Sequence, residues 1–236
     1  MKRHILLGLV LLTAQGLAPE VEITAEPHHH LTFENKSVRV FNVDVPPHAD
    51  TLMHWHRHDY IYVTLGDAQV VNAVKDKPPA TVKLQDGETR FSPAPFAHIA
   101  RNLSDQPFRN VTIEILEDAT LRSSTPHWDE DRALDILQGG TKQILFVKDA
   151  IRVSEFELQP GAVVPMQHQA GPYLLVAVTD LNLRDDNVRD NEKTLVPGAF
   201  TLDLGSGGQT WLPSKSLHSI TNVGKNPAKF VTLEFP

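Results

Sequence analysis

Pro93-Ala94-Pro95-Phe96-Ala97-His98-Ile99-Ala100-Arg101-Asn102, continued by Pro107-Phe108-Arg109-Asn110-Val111-Thr112-Ile113-Glu114, is the stretch on which the fold turns. Pro93, His98, Asn102, Pro107, Val111, Thr112 and Glu114 recur as Pro213, His218, Asn222, Pro227, Val231, Thr232 and Glu234, each 120 positions later (93 to 213, 114 to 234). Self-similarity at one fixed offset is the mark of a repeated architecture. Upstream, Val38-Arg39-Val40 and Pro47 match Ile151-Arg152-Val153 and Pro160 at an offset of 113 (38 to 151). The second copy therefore carries about seven extra residues between these blocks, and the polar stretch Arg184 to Lys193 is where they are expected.

Each copy reads as strands. Val38 to Val43 alternates, Tyr60 to Leu65 is β-branched and aromatic, Phe108 to Leu116 alternates again, and Pro, Gly, Asn or Asp bound all three. Helical spacing occurs at Ala133, Leu134 and Leu137 within Asp129 to Gln138, ending at Gly139-Gly140, and predicts a short linker helix between the copies. With 236 residues, two domains of roughly 100 residues are expected, each able to bury its own core. Two all-β units of many short strands predict a pair of barrels or sandwiches.

Composition narrows the function classes. The 22 basic against 29 acidic residues leave a formal charge of −7, and no run of Lys or Arg lines one face, so a polyanion is repelled and nucleic acid is not an expected partner. Lys2 and Arg3, the apolar run Ile5 to Leu12 and Ala14-Gln15-Gly16 have the layout of a secretory signal peptide over residues 1–18, which predicts a periplasmic or secreted protein with no membrane association once it is removed. A short membrane-tethering anchor is the other reading of the same segment. The absence of Cys fits either.

Three of the 12 histidines alternate in His54-Trp55-His56-Arg57-His58-Asp59-Tyr60. On a strand, residues two apart share a face, so a neighbouring pair of imidazoles can converge on one ion, given a third ligand from elsewhere. Here the sequence resembles the cupin family. The second cupin motif is Gly, five residues, Pro-x-Gly, two residues, His, three residues, Asn; Gly87, Pro93, His98 and Asn102 meet it at every spacing, with Pro95 in place of the middle Gly. The first motif, Gly, five residues, His-x-His, three or four residues, Glu, six residues, Gly, is met more loosely by His54, His56 and Gly66, with His48 where Gly is usual. Asp59 takes the Glu position counted back from Gly66.

The resemblance implies two tandem double-stranded β-helix (jelly-roll) barrels, about residues 19–122 and 140–236, joined by a linker over 123–139. It implies a metal in the first barrel on His54, His56, His98 and the carboxylate of Asp59. His58 is a rival ligand if the turn is tighter. Alternation places Asp59 on one strand face with Ile61, Val63 and Leu65, which are expected to line the barrel interior. Such a ligand set suits Fe, Mn, Zn, Ni or Cu and leaves positions open for water, dioxygen or a chelating substrate. Either Tyr60 or Arg101 is placed to orient substrate by its closeness to the motifs. In the second copy His218 persists, while the first motif reads either as Gln167 and Gln169 or as His168, so a degenerate, metal-free site is expected.

Two function classes follow. One is a metal-dependent oxidoreductase of the dioxygenase kind acting on a small oxygen-bearing molecule; the other is a non-catalytic binding or structural module, since a fold does not specify a reaction. The resemblance also implies packing of paired barrels into dimers. His28-His29-His30 is read as a solvated lead-in, His127-Trp128 as linker with Trp128 docking between barrels, and Gly205-Ser206-Gly207-Gly208 as a turn.

Overall fold

The computed structural model describes residues 20–116, 134–169, 171–190, 195–213 and 216–236. The signal-like segment, His127 and Trp128 lie outside the described residues. In the first copy the strands are β1 (Val21–Glu22), β2 (His29–Glu34), β3 (Val38–Val45), β4 (His54–His56), β5 (Tyr60–Leu65), β6 (Ala68–Val74), β7 (Ala80–Leu84), β8 (Thr89–Ser92), β9 (Phe96–Asn102) and β10 (Phe108–Ile115). They form two five-stranded sheets, ordered β1-β4-β9-β6-β7 and β2-β3-β10-β5-β8. Phe41, Val43, Val45, Val70, Leu84 and Phe108 pack between them.

The second copy repeats the plan with β11 (Leu134–Leu137), β12 (Gly140–Lys148), β13 (Ile151–Leu158), β14 (Val163–Gln169), β15 (Tyr173–Ala177), β16 (Leu181–Asp190), β17 (Leu195–Leu204), β18 (Gln209–Leu212), β19 (Ser216–Asn222) and β20 (Ala228–Glu234). Its sheets run β11-β12-β13-β20-β15-β18 and β14-β19-β16-β17. The all-β, two-barrel expectation is met. Over Leu134–Leu137, however, the chain is a strand and not the expected helix, pairing with β12 from Leu134↔Gln143 to Leu137↔Gly140. Gln138 and Gly139 form the two-residue loop, and Gly139 takes φ 82, so the glycines that read as a helix stop close a hairpin instead. The rest of the helical pattern, residues 129–133, lies outside the described residues.

The extra residues of the second copy sit in one hairpin. Asn72 pairs with Ala80 across β6 and β7, and Asp185 pairs with Phe200 across β16 and β17, so the offset changes from 113 to 120 beyond that pair (72 to 185, 80 to 200). β16 and β17 run ten residues each, against seven and five for β6 and β7.

Val38, Val40, Ile61, Val63, Val111 and Ile113 of the first copy form one continuous core with Ile151, Val153, Leu174, Val176, Val231 and Leu233 of the second. The sheets holding β3, β10, β5 and β13, β20, β15 thus lie back to back, buried on both sides. This explains why β10 reads Phe-Arg-Asn-Val-Thr-Ile-Glu-Ile with seven of its eight residues buried rather than every second one. Each fully buried Val, Ile or Leu there contributes about 1.5–3 kcal/mol relative to exposure.

Candidate metal centre

The second-motif residues divide into structural and chemical ones. Gly87 and Gly207 hold φ 79 and 85, and Gly161 holds φ 78, all left-handed. His48, standing where the motif has glycine, adopts φ 57 in the same turn. Asn102 is fully buried and its Nδ2 donates to the carbonyls of Val45, Pro46 and Gln106 at 3.1, 3.1 and 2.8 Å, while its Oδ1 accepts the Ser104 N–H at 2.9 Å. Asn222 repeats the clamp on Leu158, Asn226 and Gly224. Both asparagines tie loops to the barrel and neither is a ligand.

His54 and His56, two apart on β4, share a face, and the antiparallel register sets His54 opposite His98 on β9. Their Nε2 atoms converge: His54 to His56 3.2 Å, His56 to His98 3.2 Å, His98 to His54 3.0 Å. His54 and His56 are 0% and 1% exposed. His29 joins from β2, with ring centroid 4.6 Å from that of His54, and His29, His54 and His56 each bring a ligand atom within 4.8 Å of one another. The solvated lead-in expected of His28-His29-His30 is thereby corrected for His29, while His30 is exposed. β2 pairs with β3 through His29↔Val43 and turns the His29 ring inward, to 5% side-chain exposure.

The remaining ring nitrogens define the tautomers. His54 Nδ1 lies 2.8 Å from the Leu52 carbonyl, His98 Nδ1 2.7 Å from Asn72 Oδ1, and His29 Nδ1 2.6 Å from Glu26 Oε2. Each partner is an acceptor, so each Nδ1 carries the proton and each Nε2 presents a bare lone pair. His56 Nδ1 is buried with no hydrogen-bond partner among the described residues. A proton on His56 Nε2 can serve only one neighbour, which leaves His54 and His98 lone pair against lone pair at 3.0 Å. A cation at the meeting point relieves that repulsion. The donor set therefore fits a metal ion.

Electrostatics agree. Burial, with the nearby His29, brings His54 down to about 4; burial first, and then its histidine neighbours, holds His56 and His98 well below the usual imidazole range. All three rings are neutral near pH 7, the form a metal requires. Burial alone would raise the Glu26 carboxyl, but hydrogen bonds from His29 and from the N–H groups of Leu52 and His28, at 3.1 and 2.8 Å, keep it below its ordinary value. Glu26 is the anionic brace behind His29.

The structure does not bring Asp59 to this group. Its Oδ1 accepts the Ala94 N–H at 2.8 Å, and with His58 it lines a separate crevice that includes Lys148 and Asp149 of the second copy. Ile61, Val63 and Leu65 share its face and pack on the second barrel, so the expectation that they line the interior is inverted. Both faces of β5 are buried, and apolar alternation cannot tell the interior from a docked partner. Tyr60 and Tyr62 face the cavity instead, and Tyr60, with three residues between it and His56, stands where the first motif has its carboxylate. Its ring stacks on His56 with centroids 4.2 Å apart, and burial pushes its hydroxyl well above the usual range. Arg101 points outward into an ion pair with Asp50 at 2.8 Å. The cue that sequence alone offered for His29 was its place three residues after Glu26, an acid that the fold buries.

The four histidines open onto a cavity whose wall continues through Tyr62, Asn110, Thr112, Val70, Leu84 and Phe108. About 80 Å³ is open there to the centres of water-sized atoms, room for a handful of non-hydrogen atoms. In the second barrel the matching positions read Lys142 for His29, Gln167 for His54, Gln169 for His56 and His218 for His98. The registers Lys142↔Phe156 and Gln167↔His218 reproduce His29↔Val43 and His54↔His98. His168 faces outward.

No protein-family model and no curated protein matches the chain. Among solved structures it is similar to a single-residue mutant of Bacillus subtilis oxalate decarboxylase, at 12% identity and TM-score 0.62 over 87% of this chain and 74% of that one. It is also similar to Lactobacillus farciminis oxalate decarboxylase in a formate complex, at 14% identity and TM-score 0.61 over 88% and 84%. A third similar structure, at 12% identity and TM-score 0.60 over 90% and 75%, comes from work on the Mn(II) centres of the Bacillus subtilis enzyme. With two jelly-roll barrels in tandem, back to back, and the histidines of the first gathered at its cavity, the chain has the fold of a two-domain cupin.

Proposed function

We propose that the protein is an exported, metal-dependent oxidoreductase of the dioxygenase kind. Its first barrel holds one divalent transition metal on His29, His54, His56 and His98 and admits a small oxygen-bearing substrate. The convergence of the His54, His56 and His98 Nε2 atoms at 3.0–3.2 Å carries this reading. Mn(II) in a structural neighbour and formate in another support an ion and a small oxygen ligand in this kind of barrel. When bound, such an ion supplies Lewis acidity and, if redox-active, one-electron chemistry.

The chain's own residues do the rest. Leu52, Asn72 and Glu26 hold the protons on Nδ1 of His54, His98 and His29 and so keep those three Nε2 atoms free. Tyr60 packs flat on His56 and closes that side to water. Val70, Leu84 and Phe108 make the cavity wall apolar, and Thr112, donating to Asn110 Oδ1 at 2.8 Å, sets a polar pair in the same wall that can fix a substrate oxygen. Export follows from the signal-like residues 1–18.

Elemental analysis of purified protein is expected to give close to one metal per chain, lost in His98→Ala, with oxygen uptake on one of a panel of small phenolic, keto-acid and sugar compounds. A metal-free wild type after supplementation would overturn the reading. Stoichiometric metal with no turnover across the panel would move the protein to the non-catalytic binding class.

A further inference from the structure

The second barrel has kept its pocket while exchanging the groups that line it. His218 on β19 is 3% exposed, and its Nδ1 lies 3.0 Å from Asp185 Oδ2, at the position that Asn72 holds in the first barrel. The acid fixes the proton on Nδ1, so Nε2 is a bare acceptor, and it is buried with no hydrogen-bond partner among the described residues. A buried acceptor left unmet costs stability, and such groups in folded proteins ordinarily find a partner.

Lys142 extends from the place of His29, and its ammonium donates to Gln167 Oε1 at 3.2 Å, across the space where the first barrel's imidazoles meet. A positive charge there opposes a metal ion. Yet the ammonium has three N–H groups and, among the described residues, one such bond, so the small cavity offers both an unspent donor and an unspent acceptor there. An oxygen that accepts from Lys142 and donates to His218 satisfies both, and a hydroxyl does this without adding charge.

The rest of the lining is polar as well. Eight of its ten side chains are polar, Gln169, Thr232 and Glu234 among them, and the five aliphatic side chains that line the first cavity are reduced to Ile220 alone. About 20 Å³ is open to the centres of water-sized atoms, enough for one buried hydroxyl with the remainder of the molecule at the mouth. We propose that the second barrel is a metal-free binding site for small polyols, in which the Lys142 ammonium takes the role of a metal ion in holding a ligand oxygen and His218 Nε2 accepts that hydroxyl's proton.

The test is a titration of the full-length protein with glycerol, followed by the ring signals of His218 in NMR spectra. Because the readout is a ring in the second barrel, it is independent of whether the first barrel holds an ion. The expected result is a saturable shift of the His218 ring, with apparent affinity weakened roughly tenfold or more in Lys142→Met, as expected for losing a hydrogen bond from a charged group. Thr232→Val is read beside it and should also weaken binding, so the proposal stays testable if the lysine variant does not fold. Saturation by acetate but not glycerol would make this an anion site and overturn the proposal. So would a His218 response to zinc, or an unmoved His218 signal throughout the glycerol series.

Discussion

Replacing Glu26 by Gln isolates the brace from the metal ligand it serves. The carboxylate accepts from His29 Nδ1 at 2.6 Å, in a pair only 5% and 0% exposed at the side chains, and from the N–H groups of His28 and Leu52. Gln retains one acceptor oxygen and introduces an NH₂. If that oxygen stays on the Leu52 N–H, the NH₂ takes the place of Oε2 and faces both the His28 N–H and His29 Nδ1, and the ring must move its proton to Nε2 to accept from it. A protonated Nε2 cannot ligate. Removing such a partner behind a ligating histidine typically weakens metal binding about 10–100-fold, equivalent to about 1.4–2.7 kcal/mol. That range agrees with the roughly 1.5–3 kcal/mol carried by a hydrogen bond to a charged group. The assay is competition for zinc against a chromophoric chelator, comparing wild type, Glu26→Gln and His29→Ala. Glu26→Gln binding zinc within about twofold of wild type, while His29→Ala loses tenfold or more, would refute tautomer control by Glu26. An unaffected His29→Ala would remove His29 from the ligand set.

Asp59→Ala should leave metal content unchanged and cost about 1 kcal/mol in chemical denaturation, because its structural tie is the bond to the Ala94 N–H. Asn102→Ala should be among the most destabilising changes, by about 2–4 kcal/mol, since a fully buried side chain loses its bonds to the carbonyls of Val45, Pro46 and Gln106 and to the Ser104 N–H; a loss under about 0.5 kcal/mol would contradict its clamping role. Glu114, 1% exposed beside Arg39 at 3.2 Å, is raised by burial to about 7, so the folded protein holds a proton there that the unfolded chain releases above about pH 4.5. Its contribution is therefore unfavourable above pH 7 and fades as pH falls toward 4.5. Glu114→Gln should stabilise the protein at pH 8, by at most about 3 kcal/mol, and change little at pH 4.5, which thermal melts at the two pH values will show.

The two-barrel plan was legible because it rests on local signals repeated at one spacing: strand alternation, turn glycines and the Pro-His-Asn series of each second motif. The His54, His56 and His98 grouping was legible for the same reason, since strand periodicity puts two rings on one face and the motif supplies the third. The failures have a common cause. Gly139-Gly140 ends a helix or closes a hairpin depending on whether β12 lies alongside, which is a long-range fact. Asp59 was put inward because its strand mates Ile61, Val63 and Leu65 are apolar, yet the apolar face of β5 is the one docked on the second barrel.

What the sequence determined by itself was the repeat, the all-β character and three convergent imidazoles, because those follow from periodicity within single strands and from spacing along the chain. Only the tertiary structure decided which face of each strand looks into its own barrel. Only it showed that His29 is drawn in by Glu26 to complete the group, and that Lys142 and the Asp185–His218 pair stand in the corresponding space of the second barrel. These depend on strands far apart in the chain lying side by side, and on burial applied to both faces of one sheet, which the order of residues along a single strand does not encode.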